Sequence, residues 1–167
     1  MVNDHASNIY PVGTTTVTWT VTDIHGNQST ATQTITATDN EAPTITAPAN
    51  IAVNNDAGVC EATVLIGTPT TGDNCGVASV VNDHASNIYP VGTTTVTWTV
   101  TDIHGNQSTA TQTITVTDNE LPTISIVPVS VNNDLGVCGA TVNIGSPVTG
   151  DNCGVLNVVN DHASNDY

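Results

Sequence analysis

From residue 93 to residue 101 apolar and polar side chains alternate with a period of two. Val96, Trp98 and Val100 fall on one side of the chain, and Thr95, Thr97, Thr99 and Thr101 on the other. That spacing predicts a half-buried β-strand, and a row of Thr favours the strand while staying soluble. Similar runs recur along the chain, punctuated at short intervals by Gly, Pro, Asn and Asp. Strands are expected over residues 44–54 (interrupted at Pro48), 59–67, 77–82, 93–102 and 107–117. A turn is expected at 55–58, a polar loop at 68–76, a crossover at 83–87, a corner at 89–92 and a tight turn at 103–106. About seven short strands with no helical periodicity predict an all-β immunoglobulin-like β-sandwich.

The pattern repeats. Residues 2–36 and 81–115 are the same 35 letters, and the block begins again at Val159, so the repeat is about 79 residues long. The segments 38–43 and 117–122, each TDNE followed by any residue and Pro, are the natural boundaries, because proline suits the start of an edge strand. The expected organisation is therefore tandem immunoglobulin-like modules. Residues 1–39 form the C-terminal half of one, 40–118 a complete one, and 119–167 the N-terminal half of the next. Met1 stands where the other copies have Val80 and Val158, and no signal peptide opens the chain. The expectation is a segment from inside a longer array.

Composition narrows the function. The chain has no Lys or Arg against fifteen Asp and Glu, a net charge of −15. Phosphate backbones and anionic membrane surfaces need cationic side chains, so neither is an expected partner. Arg clamps and catalytic lysines are impossible. No nucleophile–base–orienter set, phosphate-cradling loop or H-E-x-x-H motif is present, so no enzyme is expected. No apolar run is long enough for a transmembrane helix. Phe is absent and only 3% of residues are aromatic, so each module has a thin core of the kind that usually needs staples. Cys60 and Cys75, and again Cys138 and Cys153, have the spacing of a disulfide framework in an oxidising, extracellular place. Pairing within the repeat, Cys60–Cys75, is one option. Strand length argues against it, since a strand of seven or eight residues would separate the two by about 20 Å or more. Cys60–Cys153, across the junction, is the other.

The motifs CEATV, TGDNCG, YPVGTTTVTWTVTD, HGNQ and TVTDNExP together resemble the hyalin-repeat (HYR) family, as found in long surface adhesin arrays of Bacteroidetes. The resemblance covers the whole chain. It implies an immunoglobulin-like fold and an extracellular structural or adhesive role without catalysis. One departure is that many family members carry cysteines in the first and last strands, which here have none.

In such a topology the lead-in linker and two loops meet at one end of a module. They bring Asp39, Asn40, Glu41, Asp73, Asn74, Asp102 and Asn106 to the junction. The next junction repeats the set with Asp118, Asn119, Glu120, Asp151 and Asn152. An all-oxygen set with no basic neighbour suits Ca²⁺, which takes about 6–8 oxygen ligands. The simpler alternative is that these Asx residues cap their own turns. His5, His84 and His162 in NDHAS, and His25 and His104 in DIHGN, read as surface turn residues. Trp19 and Trp98 read as core. Asn27-Gln28-Ser29 and Asn106-Gln107-Ser108 match the glycosylation sequon.

The expected function is a module of an extracellular filament or surface stalk, held in line by junctional Ca²⁺ and disulfides. Its partners would be adjacent modules head to tail, with a surface glycan or protein as possible target. The alternatives are a carbohydrate- or protein-binding module, or a spacer in a secreted multidomain protein.

Overall fold

The computed structural model describes residues 2–4 and 8–161; His5 and His162 lie outside them. Thirteen strands are present and no helix among the described residues. They are β1 (Val2–Asn3), β2 (Gly13–Thr22), β3 (Gln28–Ala37), β4 (Thr44–Thr46), β5 (Ile51–Asn54), β6 (Glu61–Thr63) and β7 (Thr70–Gly72). There follow β8 (Val77–Asn82), β9 (Ile88–Pro90), β10 (Gly92–Asp102), β11 (Gln107–Thr117), β12 (Thr123–Ser125) and β13 (Val148–Gly150). The sheet orders are β1-β2-β3, β5-β11-β10-β8, and the pairs β4-β7, β6-β9 and β12-β13. The chain is all-β, as an immunoglobulin-like β-sandwich requires.

The contacts group into two compact units. The first gathers the residues up to Thr46 with Pro69–Val81 and Trp98–Ala110. The second gathers Ala47–Thr68, Asn82–Thr97 and the residues from Thr111 on. In the second, Ala62, Val64, Tyr89, Val96, Ile114 and Val116 are all buried, and the alternation along β10 and β11 is the one expected. Gln112 is also fully buried. Its amide donates to the carbonyls of Ala49 (2.8 Å) and Ile66 (3.1 Å), which satisfies two backbone groups on irregular segments.

The expected first strand divides at Pro48, which cannot donate to a ladder. Before it, β4 pairs antiparallel with β7; after it, β5 pairs parallel with β11, Ile51 opposite Ile114. Three expectations need correction. The second strand is only Glu61–Thr63, the polar loop contains β7, and the corner overlaps the end of β9, which pairs with β6. In each case a distant partner decides, and local pattern carries no trace of it.

In the first unit the 35-residue block forms its hairpin again, β2 with β3 in register from Gly13↔Ala37 to Thr22↔Gln28. Local sequence is enough to set that pairing. Burial is another matter. Val17 is buried, but Val21 is 49% exposed where Val100 of the other copy is 0% exposed. His84 also departs from expectation: it is half-buried, with its ring stacked on Tyr89 at 4.3 Å.

Candidate functional site

Asp39 lies ahead of β4, Asp73 follows β7, and Asp102 ends β10. One carboxylate oxygen of each lies within 4.8 Å of the others, inside the first unit. Asp102 and the side chain of Asp39 are each only 2% exposed.

Local capping accounts for Asp102. Its Oδ1 accepts the N–H groups of His104 and Asn106, both at 2.8 Å, and its Oδ2 accepts Asn106 Nδ2 at 2.7 Å. Asp23 makes the same three bonds in the other copy, all at 2.8 Å, so the turn closes itself wherever the sequence occurs. Gly105, at φ +94°, supplies the left-handed residue this turn needs. Burial pushes the Asp102 carboxyl up, but the Asn106 and backbone hydrogen bonds prevail and hold it below its ordinary 3.8.

Capping accounts for only one oxygen of each of the other two. Asp73 Oδ2 accepts the N–H of Cys75 (2.8 Å) and of Gly76 (2.7 Å), while its Oδ1 is buried with no hydrogen-bond partner. Asp39 Oδ1 accepts the N–H of Glu41 at 3.1 Å, and its Oδ2 faces His104 Nδ1 at 3.1 Å. A buried carboxylate oxygen without a partner is costly. The chain has no Lys or Arg to relieve it. The donor set, three carboxylates with one oxygen unsatisfied, fits a hard divalent cation.

The remaining expected ligands are placed otherwise. Asn106 turns its amide N–H groups to Asp102 and to the Asp39 carbonyl (3.3 Å), acting as a brace. Asn40, Glu41 and Asn74 are exposed. At the second junction no three such side chains converge among the described residues. Asp118 Oδ1 accepts the N–H of Glu120 (3.1 Å), Glu120 accepts the N–H of Gly58 (2.7 Å), and the Asn119 N–H donates to Asn55 (3.2 Å). Asp151 accepts the N–H of Cys153 (2.8 Å), and Asn152 donates to the Val59 carbonyl (2.9 Å).

Two residues at the acidic cluster were not foreseen. Cys75 and His104 each offer a ligand atom within 4.8 Å of Asp39. Burial, then Asp39, with smaller contributions from Asp73 and Asp102, pushes the Cys75 thiol up from its ordinary 9.0. The repeated TGDNC and DIHGN motifs contain these residues, but only folding brings them together.

The disulfide joins Cys60 to Cys153, Cα atoms 4.8 Å apart, 93 positions along the chain. It links two different positions of successive repeats, Cys138 being the counterpart of Cys60 and Cys153 that of Cys75. Cys75 and Cys138 are free, against the expectation that all four are bridged. The positions that would pair with them in the same way, one repeat before Cys75 and one repeat after Cys138, fall outside residues 1–167.

A β-sandwich repeat with a carboxylate cluster and a repeat-to-repeat disulfide is the class these features define. Residues 38–116 match the HYR domain. The chain is 35% identical over 162 residues to "Hyalin" of Strongylocentrotus purpuratus, covering 91% of this chain and 14% of that protein. Hyalin of Lytechinus variegatus is likewise 35% identical over 162 residues, with 31% of its length covered. A "Sushi, von Willebrand factor type A, EGF and pentraxin domain-containing protein 1" of Rattus norvegicus is 35% identical over 103 residues, 59% of this chain and 3% of that protein. The chain thus spans less than a third of the hyalins it matches, and these relatives are animal proteins rather than bacterial adhesins.

Proposed function

We propose that this chain is a stretch of an extracellular array of HYR-type modules, bounded near residues 39/40 and 118/119. Its role is structural or adhesive rather than catalytic. The observation that carries the reading is the Cys60–Cys153 bond, which ties one repeat to the next rather than closing a module on itself. The HYR match, the hyalin relatives and the use of disulfides support an extracellular place. Adjacent modules are the partners, and a glycan or protein on a neighbouring surface is the adhesive target.

In this reading Ca²⁺ binds at Asp39, Asp73 and Asp102, with Asn106 bracing two of them. The cation neutralises the buried carboxylates and fixes the linker that carries Asp39. Titration of the oxidised protein with Ca²⁺ should raise its melting temperature, and EDTA should lower it again. An identical melting temperature in both would overturn the metal assignment. A second reading has Asp39, Cys75 and His104 in its favour, a mixed set suited to Zn²⁺. Cys75→Ser separates the two: Ca²⁺ binding survives it, whereas Zn²⁺ binding through sulfur does not.

A further inference from the structure

Around the Cys60–Cys153 bond lie polar contacts between residues 55–60 and the segments after residue 118. Residues 55–60 are the turn that leads from β5 into β6, and it closes on itself. Asn55 Nδ2 donates to the carbonyls of Asp56 (3.2 Å) and Val59 (2.9 Å), and Asp56 Oδ2 accepts the N–H of Thr63 (2.9 Å). One repeat on, Asn133 Nδ2 donates to Asp134 (3.3 Å) and Val137 (3.0 Å), and Asp134 accepts the N–H of Thr141 (3.0 Å). The turn is therefore set by its own residues. Gly58, at φ +77°, supplies the left-handed backbone it needs.

The segments after residue 118 meet this turn at four points. The Asn119 N–H donates to Asn55 Oδ1 (3.2 Å), Glu120 Oε1 accepts the Gly58 N–H (2.7 Å), Asn152 Nδ2 donates to the Val59 carbonyl (2.9 Å), and Cys153 is bonded to Cys60. All of these residues belong to one compact unit. A carboxylate, an amide and a sulfur thus read three successive positions, Gly58, Val59 and Cys60. The carboxylate on a backbone N–H is a charge-assisted bond, stronger than a neutral one. Asn152 Oδ1 is buried without a hydrogen-bond partner, so this side chain is held for its donor group alone.

We propose that residues 55–60 are a prebuilt docking surface for the following module, and that Glu120 and Asn152 are positioning residues that bring Cys153 onto Cys60 before the bond forms. The partner this surface fits is another module of the same chain, recognised by a carboxylate at Gly58 and a primary amide at Val59. The inference deepens the array reading and rests on its repeat-to-repeat bond.

Glu120 lies on the linker ahead of β12, and Asn152 on the loop after β13. Because β12 pairs with β13, the two side chains are held at a fixed spacing, and that spacing matches Gly58 and Val59. Cys153, beside Asn152, is then carried to Cys60, beside Val59, with 4.8 Å between their Cα atoms. The letters of both surfaces recur. Asn40-Glu41 and Asn74-Cys75 hold the places of Asn119-Glu120 and Asn152-Cys153, and residues 133–138 hold those of 55–60. The same recognition is thus written into each boundary of an array.

Bond formation requires an oxidant, here a small-molecule disulfide such as oxidised glutathione. One of the two cysteines, as thiolate, attacks a glutathione sulfur and expels a glutathione thiolate. The other, as thiolate, then attacks the protein sulfur of the mixed disulfide and expels the second. Two protein thiols are oxidised and one oxidised glutathione becomes two reduced molecules. Glu120 and Asn152 act on the second step, by holding the two sulfurs within reach.

The reduced 167-residue chain is equilibrated in glutathione buffers of graded ratio, free thiols are trapped by alkylation, and linked peptides are mapped. The unaltered chain should give Cys60–Cys153 as its main link. Glu120→Ala should lower the effective concentration of that pair by roughly tenfold, and Glu120→Gln by less, since a neutral acceptor remains. Asn152→Asp keeps the size but sets an acceptor against the Val59 carbonyl, and should also lower it by roughly tenfold. A second measurement uses Cys60→Ser plus Cys153→Ser, which cannot form the bond. There the Gly58 amide should still be slow in hydrogen exchange, and adding Glu120→Ala should speed it. A Gly58 amide that exchanges freely once the sulfurs are gone, or equal effective concentrations in all variants, would overturn the proposal and leave the array reading standing. A main link other than Cys60–Cys153 in the unaltered chain would overturn both.

Discussion

Gln33 and Gln112 are the same residue of the same 35-letter block, and they offer a controlled measurement. Gln112 is fully buried and holds the carbonyls of Ala49 and Ile66. Gln33 is exposed and accepts a hydrogen bond from Trp19 Nε1 at 3.0 Å. Gln112→Ala removes two hydrogen bonds and leaves two carbonyls without their donor, a cost of about 2–4 kcal/mol. Gln33→Ala exposes nothing new and should cost under about 0.5 kcal/mol. Urea unfolding followed by circular dichroism reads the difference. With a slope of about 2 kcal/mol/M, Gln112→Ala should lower the midpoint by about 1–2 M and Gln33→Ala by almost nothing. Equal midpoints for the two variants would refute the argument that Gln112 anchors the irregular segments around β5 and β6.

Removing the disulfide with Cys60→Ala plus Cys153→Ala should destabilise the protein by about 4–5 kcal/mol, since the bond closes a loop of 93 positions; reductant should reproduce the effect in the same unfolding assay. Asp102 has a folded pKa below its ordinary 3.8, so its contribution is present above that value and is lost as pH falls through the folded pKa. Asp102→Asn should therefore flatten the acid limb of a stability–pH curve, and an unchanged limb would count against the capping account. Cys75 is held up as a neutral thiol by burial and by Asp39, so its alkylation rate should rise only at higher pH than that of a free cysteine. Asp39→Asn should move that profile down; an unmoved profile would remove Asp39 as a cause.

Sequence reading succeeded where the determinant was local. The alternation in β10 and β11 and the self-closing DIHGN turn both depend on residues a few positions apart. It failed for β7 and β9, short segments that become strands only because β4 and β6 lie beside them. Asp39, Asp73 and Asp102 were legible as turn carboxylates near one junction. Cys75 and His104 were not, because nothing in a spacing of 36 or 65 positions marks them as neighbours of Asp39. The disulfide was half legible: strand length disfavoured Cys60–Cys75, but only the fold selects Cys153.

The Cys60–Cys153 bond also decides what happens when the chain is pulled. Tension entering before Cys60 and leaving after Cys153 passes through the two sulfurs and bypasses everything between them. That stretch, about 300 Å long if drawn out straight, is withheld from extension while the bond lasts. The strands it contains, β6 to β13, can unfold and refold without lengthening the chain, whereas β4 and β5 lie outside it and stay in the path of the load. A reducing agent would release that hidden length in one step, which makes compliance a property set by redox state rather than by the strength of the β-sandwich.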